Sequence, residues 1–134
     1  MPSISVIIST YNKPHFLEKV LTGYCFQTFN DFEIIIADDG SSNETKEMIT
    51  KFEQLSPQKI YHVWHEDNGF RKCKILNTAI MKSSNDYLVF SDGDCIPDSN
   101  FLKTHSRLAQ KNYFLSGGHF PITETVSNLL TIED

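Results

Sequence analysis

Short runs of β-branched and aromatic residues alternate along the chain with stretches in which apolar residues recur at helical spacing. We predict strands at residues 4–9, 32–37, 59–64, 87–91 and 113–116. The intervals are predicted to be helices with one buried face, the first of them marked by Leu17, Val20, Leu21 and Tyr24. This alternation favours an α/β fold, in which a mostly parallel sheet carries helices on both faces.

The ends of the predicted helices carry capping signals. Asn12 is expected to cap the first helix, just before Pro14, and Ser41 with Glu44 forms a capping box for the second. On the fourth helix, the pattern predicts an inward face made of Phe101, His105, Leu108 and Ala109.

Polar side chains follow the predicted strands at the points where the strands end. The residues concerned are Asn12, Asp38, Asp39, Asn68, Asp92 and Asp94. In open α/β sheets, ligands bind at the edge where the carboxyl ends of the strands meet. The sequence therefore predicts one site, assembled from the loops at this edge.

The most informative of these loops is Asp92-Gly93-Asp94, a D-x-D motif directly after an apolar strand. Hard divalent cations such as Mg²⁺ and Mn²⁺ prefer oxygen ligands and are commonly held by one or two carboxylates together with substrate phosphates. The alternative interpretation is a solvated acidic turn that leads into the next helix.

Asp39 and Arg71 are further candidates for ligand binding. A carboxylate at the position of Asp39 can accept a hydrogen bond from a ribose hydroxyl or a base N–H, although it also suits a plain turn. Arg71 stands where a helix begins, a place that favours anions, so its guanidinium suits a phosphate or carboxylate. The alternative is an ordinary surface arginine. Lys72 and Lys74 are expected to be solvated.

The histidines and cysteines give weaker indications of function than the loops at the strand ends. His62 lies inside a predicted strand and is expected to be packed, whereas His65 and His119 lie near loop edges from which they could approach the site. The three cysteines are widely spaced and include no C-x-x-C, which predicts free thiols in a reducing compartment.

Composition narrows the class of protein. The 134 residues are enough for one domain, and the net charge of −5 argues against a nucleic-acid partner. Apolar runs are no longer than strands, so no transmembrane segment is predicted, and the first residues lack the basic region of a signal peptide. We expect a location in the cytoplasm, either free or peripheral at the inner face of the membrane.

Taken in order, the motifs resemble those of family 2 glycosyltransferases. They are residues 4–12, 32–41, 67–69 and 87–94, and residues 68–73 are similar to the branch with bacterial chondroitin polymerases and galactosyltransferases. The resemblance spans roughly residues 4–120. It implies a Rossmann-like GT-A fold and transfer from nucleotide sugars with inversion at the anomeric carbon, in bacterial polysaccharide biosynthesis.

The resemblance implies roles for the matching residues. Thr10 and Tyr11 would line a uracil pocket, Asp39 would hydrogen-bond the base, and Arg71 would approach the nucleotide. With the residues at the strand ends, the expected substrate-binding set is Thr10, Tyr11, Asn12, Asp39, Asn68, Arg71 and Asp92.

The resemblance also implies a metal and two substrates. Asp94, with Asp92 as a second candidate, would coordinate Mn²⁺ or Mg²⁺, and Asp92 would also contact the ribose or sugar. The metal would neutralise the diphosphate as it leaves. The expected partners are a UDP-sugar donor and a glycan or glycolipid acceptor.

Two departures from the family pattern bear on activity. Many relatives have an arginine where this chain has Leu76, just before Asn77. The acidic general base of these enzymes follows much later than the D-x-D motif, so we interpret Glu133-Asp134 as a coincidence and the base as lying beyond Asp134.

We therefore expect residues 1–134 to be the nucleotide-sugar-binding part of a GT-A domain that is truncated at its C-terminus and inactive alone. Two alternatives belong to other classes. The first is a non-catalytic nucleotide-sugar-binding module. The second, a nucleotidylyltransferase, would need a basic, glycine-rich phosphate loop after the first strand, which residues 10–14 do not provide.

Overall fold

A computed structural model of the protein describes residues 1–130, which form a four-stranded sheet flanked by helices. The elements in chain order are β1 (Ile4–Thr10), α1 (Pro14–Cys25), β2 (Phe32–Asp38), α2 (Asn43–Leu55), β3 (Ile60–Trp64), α3 (Lys72–Lys82), β4 (Tyr87–Asp92), α4 (Phe101–Leu108) and α5 (Glu124–Leu129). Among these residues, no helix combines the length and the apolar character needed to cross a membrane.

The sheet is parallel throughout, with the strand order β3-β2-β1-β4. Alternate residues of β1 enter different apolar clusters, as expected for a strand buried on both sides. Ile4, Val6 and Ile8 pack with residues of α1 and α2, whereas Ile7 packs with Ile75 of α3. The predicted α/β class, with helices on both faces, is confirmed.

The strand register brings the carboxyl ends of the strands to one edge. Thr10 pairs with Asp38, Asp38 pairs with Trp64, and Ser9 pairs with Asp92. Because all four strands run in the same direction, the loops that follow them emerge side by side at this edge. The fold therefore brings the loops that carry the predicted residues to one edge of the sheet.

At the opposite edge of the sheet, where the strands begin, the buried carboxylate of Glu33 links neighbouring segments. Glu33 accepts hydrogen bonds from Ser5 Oγ at 2.7 Å and from the backbone N–H and the hydroxyl of Ser84, both at 2.8 Å. Burial raises the pKa of Glu33, but these three hydrogen bonds outweigh it and the pKa is lowered. This network joins β1 and β2 to the turn that leads into β4.

The predicted capping roles of Asn12 and Ser41 are wrong. Lys13 and Ser42 occupy the N-cap positions of α1 and α2, and neither makes a side-chain capping bond. Asn12 instead adopts a left-handed backbone, with φ of 48°. Its Oδ1 accepts from the Ser42 N–H at 2.9 Å, and its own N–H donates to Ser41 Oγ at 2.8 Å. These side chains bond the neighbouring loop in place of capping their own helices.

The predicted strand at residues 113–116 is also wrong, because this segment is irregular. Phe114 is 90% exposed. A strand needs a partner for its backbone hydrogen bonds, and in the described part of the chain the sheet ends at β4.

The inward face of α4 is rotated from the predicted one. Leu102 and Ser106 are buried, whereas Leu108 is exposed. Two polar anchors set this rotation: the Leu102 N–H donates to Gln27 Oε1 at 3.0 Å, and Ser106 Oγ donates to the Pro2 carbonyl at 3.0 Å.

Candidate functional site

Asp39 is the most enclosed acidic residue among those predicted to bind substrate. It directly follows β2 and is 7% exposed. Its Oδ1 lies 2.6 Å from His65 Nε2, and its Oδ2 accepts from the Arg71 backbone N–H at 2.9 Å. Burial raises the pKa of Asp39, but the hydrogen bonds from His65 and Arg71 outweigh it and lower the pKa. The result is an ionised acceptor held at both oxygens.

Thr10 and Tyr11 lie beside Asp39. The Thr10 carbonyl accepts from the Asp39 N–H at 3.1 Å. Tyr11 is about half exposed, and its hydroxyl donates to Asp67 Oδ2 at 2.6 Å. This bond and the charge of Asp67 raise the pKa of Tyr11. The phenol ring is thus fixed next to the loop that contains Asp39.

Gly40 lets the loops after β2 and β3 touch. Its φ is +95°, and a Cβ at this position would lie 2.5 Å from Asp67 Cα. Only glycine combines this backbone with this close approach. On the same side, Trp64 Nε1 donates to the Ser41 carbonyl at 3.0 Å. These contacts fix Asp39 against the segment that carries His65 and Arg71.

Asp92 ends β4 and is held by two donors. Ser9 Oγ lies 2.9 Å and Lys72 Nζ lies 3.1 Å from Asp92 Oδ1. The hydrogen bond from Lys72 is the largest cause of the lowered pKa of Asp92, and the bond from Ser9 adds to it against the effect of burial. Lys72 is solvated as expected, with its side chain 40% exposed, and it also reaches the end of β4 because α3 begins at this residue.

Gly93 presses the D-x-D turn against β1. Its N–H donates to the Ser9 carbonyl at 2.8 Å, and a Cβ here would lie 2.9 Å from the same oxygen and 3.2 Å from Thr10 Oγ1. Asp94 follows this turn and is exposed. The adjacent carbonyls of Ser9 and Thr10 therefore accept from the D-x-D turn and from the Asp39 loop, so the two halves of the predicted site are neighbours.

The D-x-D turn offers a donor set that fits a hard cation. Single ligand atoms of Asp92, Asp94 and Cys95 lie within 4.8 Å of one another. Carboxylate oxygens suit Mg²⁺ and Mn²⁺, whereas a thiol suits softer metals. Burial and, after it, the charge of Asp94 raise the pKa of Cys95, which favours the protonated thiol. The two aspartates are therefore the candidate metal ligands.

The remaining predicted residues have more local contacts. Arg71 occupies the N-cap of α3, and its Nη2 donates to the Glu66 carbonyl, so its side chain is tied to its own loop. The Asn12 side chain is bonded to Ser42, and Asn68 is exposed in the loop after β3. Their roles towards a substrate stay predictions, as do the roles of the residues described above.

The motif pattern missed three contacts, those made by His65, Asp67 and Lys72. His65 stands one residue after β3, and its position near a loop edge was the available signal. That it meets Asp39 depends on the register between β2 and β3. The contact of Lys72 depends on the residue at which α3 begins, which the periodicity did not define.

Comparison with known proteins identifies the family. The sequence pattern of Glycosyl transferase family 2 matches residues 5–130. The chain is 31% identical over 106 residues to chondroitin synthase of Escherichia coli, covering 78% of this chain and 15% of that protein. It is 31% identical over 126 residues to glycosyltransferase AglE of Haloferax volcanii, covering 92% of this chain and 41% of that protein.

Solved structures share the fold. The mannosyltransferase PcManGT from Pyrobaculum calidifontis, in complex with GDP-Man and Mn²⁺, matches with a TM-score of 0.73 at 24% identity, covering 82% of this chain and 33% of that one. S. aureus TarS 1-349, in complex with UDP-GlcNAc, matches with a TM-score of 0.67 at 24% identity, covering 78% of this chain and 30% of that one. The chain thus spans less than half the length of these proteins. It belongs to glycosyl transferase family 2 and has the GT-A fold.

Proposed function

We propose that this chain forms the donor-binding part of an inverting glycosyltransferase that uses a UDP-sugar and a divalent cation, Mn²⁺ or Mg²⁺. One observation carries the proposal: the Thr10 carbonyl accepts from the Asp39 N–H at 3.1 Å, and the carbonyl of the preceding Ser9 accepts from the Gly93 N–H of the D-x-D turn at 2.8 Å. A hydrogen-bond acceptor suited to a base and a carboxylate pair suited to a metal–diphosphate therefore lie next to each other.

The Asp39 carboxylate, as a hydrogen-bond acceptor, suits a nucleobase that donates an N–H. Each oxygen of Asp39 takes one bond from the protein, and a carboxylate oxygen has lone pairs for a second. Uracil presents its N3–H, and the half-exposed Tyr11 ring offers a surface on which a base can stack. Adenine presents a lone pair at its N1, which an ionised carboxylate repels, and has its donor at the exocyclic N6 instead of the ring. Guanine also presents an N–H, so GDP is the competing nucleotide.

The metal proposal rests on the D-x-D carboxylates. Asp94 is exposed beyond the turn and would be the main ligand, whereas Asp92, bonded by Ser9 and Lys72, would chiefly contact the ribose or sugar. A bound Mn²⁺ or Mg²⁺ ion would neutralise charge on the departing diphosphate. Lys72 adds a fixed cation beside the same turn.

The general base is left to another part of the enzyme. An inverting transfer needs a group that takes the proton of the acceptor hydroxyl. Glu133-Asp134 lies outside the described residues, and we assign it no role. We propose a glycan or glycolipid as the acceptor. A non-catalytic nucleotide-sugar-binding module is the second candidate, since the residues of the proposed site would contact the donor and not the acceptor.

Titration calorimetry with UDP, GDP and ADP, each in the presence of Mn²⁺, tests the proposal. We expect UDP to bind most tightly, because the pocket of Tyr11 and Asp39 suits a pyrimidine with an N–H. Equal affinities, or no binding by a protein whose circular dichroism spectrum shows that it is folded, would contradict a uridine site. Tighter binding of GDP would assign the donor to the guanosine class.

A further inference from the structure

We propose that His65 is a positioning residue that holds Asp39 in the orientation that reads the nucleobase, and that it thereby sets a preference for UDP over CDP. This inference rests on the proposed donor site. It starts from the 2.6 Å contact between His65 Nε2 and Asp39 Oδ1. Both side chains are largely buried, at 17% and 10% exposure, so water competes little for this contact.

Two anchors fix the plane of the Asp39 carboxylate. The torsion that rotates a carboxylate is soft and broad, so one hydrogen bond alone leaves it mobile. Here Oδ1 is held by His65 and Oδ2 by the backbone N–H of Arg71, at 2.9 Å. Because Asp39 is ionised and can only accept, His65 Nε2 must carry the hydrogen. Of the two anchors, only His65 can be removed by substitution.

The neighbouring His62–Asp38 pair is an example of a histidine with a structural role in the same sheet. His62 Nε2 lies 2.7 Å from Asp38 Oδ2, and Asp38 is fully buried, with its Oδ1 taking the N–H of Ser41 at 2.9 Å. Asp39, in contrast, is near enough to Tyr11 that its charge adds to the larger effect of Asp67 on the pKa of that tyrosine. The Asp39–His65 pair therefore lies beside Thr10 and Tyr11, whereas Asp38 is fully buried with its Oδ atoms bonded to His62 and Ser41.

A fixed carboxylate discriminates between the two pyrimidines. Uracil offers the N3–H as a donor, whereas cytosine offers a lone pair at the same position, which a carboxylate repels. Cytosine has a donor only at its neighbouring N4 amino group. A carboxylate that is free to rotate can shift to accept from that amino group, and it aligns less well with the uracil N3–H. Since both rings have the same size and the same phosphates, the ratio of UDP to CDP affinity reports this alignment.

The experiment compares UDP and CDP binding by calorimetry in the native protein and in four variants. His65→Leu removes the donor, and His65→Asn keeps a polar group too short to reach Asp39. His65→Gln supplies an amide N–H near the position of Nε2. His62→Gln is the matched control, because it alters the neighbouring histidine–aspartate pair.

We expect His65→Leu and His65→Asn to weaken UDP binding about 5- to 20-fold, the range for losing part of a charged hydrogen bond. CDP binding should change much less, so the UDP/CDP ratio falls. His65→Gln should restore most of the ratio. His62→Gln should lower the melting temperature and leave the ratio unchanged.

Each remaining outcome separates this inference from the proposed function. If the native protein does not prefer UDP to CDP, the uridine site itself is wrong. If it does, and either folded His65 variant keeps the native ratio, the inference is overturned and the proposed function stands. Equal losses for UDP and CDP in the Leu, Asn and Gln variants would show a purely structural histidine and would also overturn it. Should His65→Leu fail to fold, His65→Asn carries the same comparison.

Discussion

Asp92 and Asp94 differ in the hydrogen bonds that their side chains make within the protein. Asp92 Oδ1 takes hydrogen bonds from both Ser9 and Lys72, which fixes its side chain at the end of β4. Asp94 lies beyond the turn, exposed, with Cys95 Sγ 3.6 Å from its Oδ1. A cation held here would take its remaining ligands from phosphate oxygens and waters, so one mobile carboxylate, that of Asp94, would be enough. The two aspartates should therefore respond differently to substitution.

Asp94→Asn should keep the fold and remove the enhancement of UDP binding by Mn²⁺, because it neutralises the main ligand on an exposed turn. Asp92→Asn should weaken UDP binding with and without metal. UDP titrations of both variants, with Mn²⁺ and with a chelator, measure this difference. A folded Asp94→Asn protein with the full Mn²⁺ enhancement would return the D-x-D motif to the alternative of a solvated turn.

At the scale of the elements, the amino edge of the sheet depends on Glu33. Its pKa is lowered in the folded protein, so its contribution to stability is present above the pKa of an unfolded glutamate and is lost as the pH falls through the folded value. The hydrogen bonds from Ser5 and Ser84 that cause this are the ones that join β1, β2 and the start of β4.

Glu33→Gln should lower the free energy of unfolding at pH 7 by about 2 kcal/mol, since it weakens hydrogen bonds to a buried charge. It should also make the loss of stability on acidification shallower than in the native protein. Urea denaturation from pH 7 to pH 3 measures both effects. The exposed Glu53→Gln on α2 is the control and should change neither. If Glu33→Gln loses stability between pH 7 and pH 3 as steeply as the native protein, the proposed role of this hydrogen-bond network is contradicted.

The elements that the sequence predicted well are those decided by burial. The apolar runs at residues 4–9 and 32–37 are central strands, so hydrophobic pattern alone identified them. The errors lie where contacts between distant residues decide. Asn12 bonds the loop after β2 rather than capping α1, and the anchors of α4 on Gln27 and Pro2 set its rotation.

The candidate site likewise contains residues that the sequence located and contacts that it did not reveal. Strand ends located Asp39 and the D-x-D motif, because parallel strands bring these positions to one edge whatever the details of packing. His65 and Lys72 were not assigned contacts, because their partners depend on strand register and on where α3 begins. A single sequence contains no direct signal for either.

For the whole molecule, we expect donor binding with little or no sugar transfer by the 134-residue chain. Loss of a general base typically lowers the rate about 10²–10⁴-fold, and loss of acceptor positioning lowers it further. The measurement is a transfer assay with UDP-sugars and candidate acceptors, with Asp134→Asn as the comparison variant. Robust transfer that Asp134→Asn abolishes would assign the base to that residue and contradict this prediction.

We propose that one site at the carboxyl edge of the sheet joins a base-binding Asp39 to a metal-binding Asp94. The most direct measurement is the amide NMR spectrum of the protein with UDP, before and after a trace of paramagnetic Mn²⁺, which broadens the signals nearest to it. We expect UDP to shift the amides of Tyr11, Asp39 and Arg71, and Mn²⁺ then to broaden residues 92–95 most strongly. UDP shifts on another surface, or Mn²⁺ broadening centred away from residues 92–95, would contradict the claim.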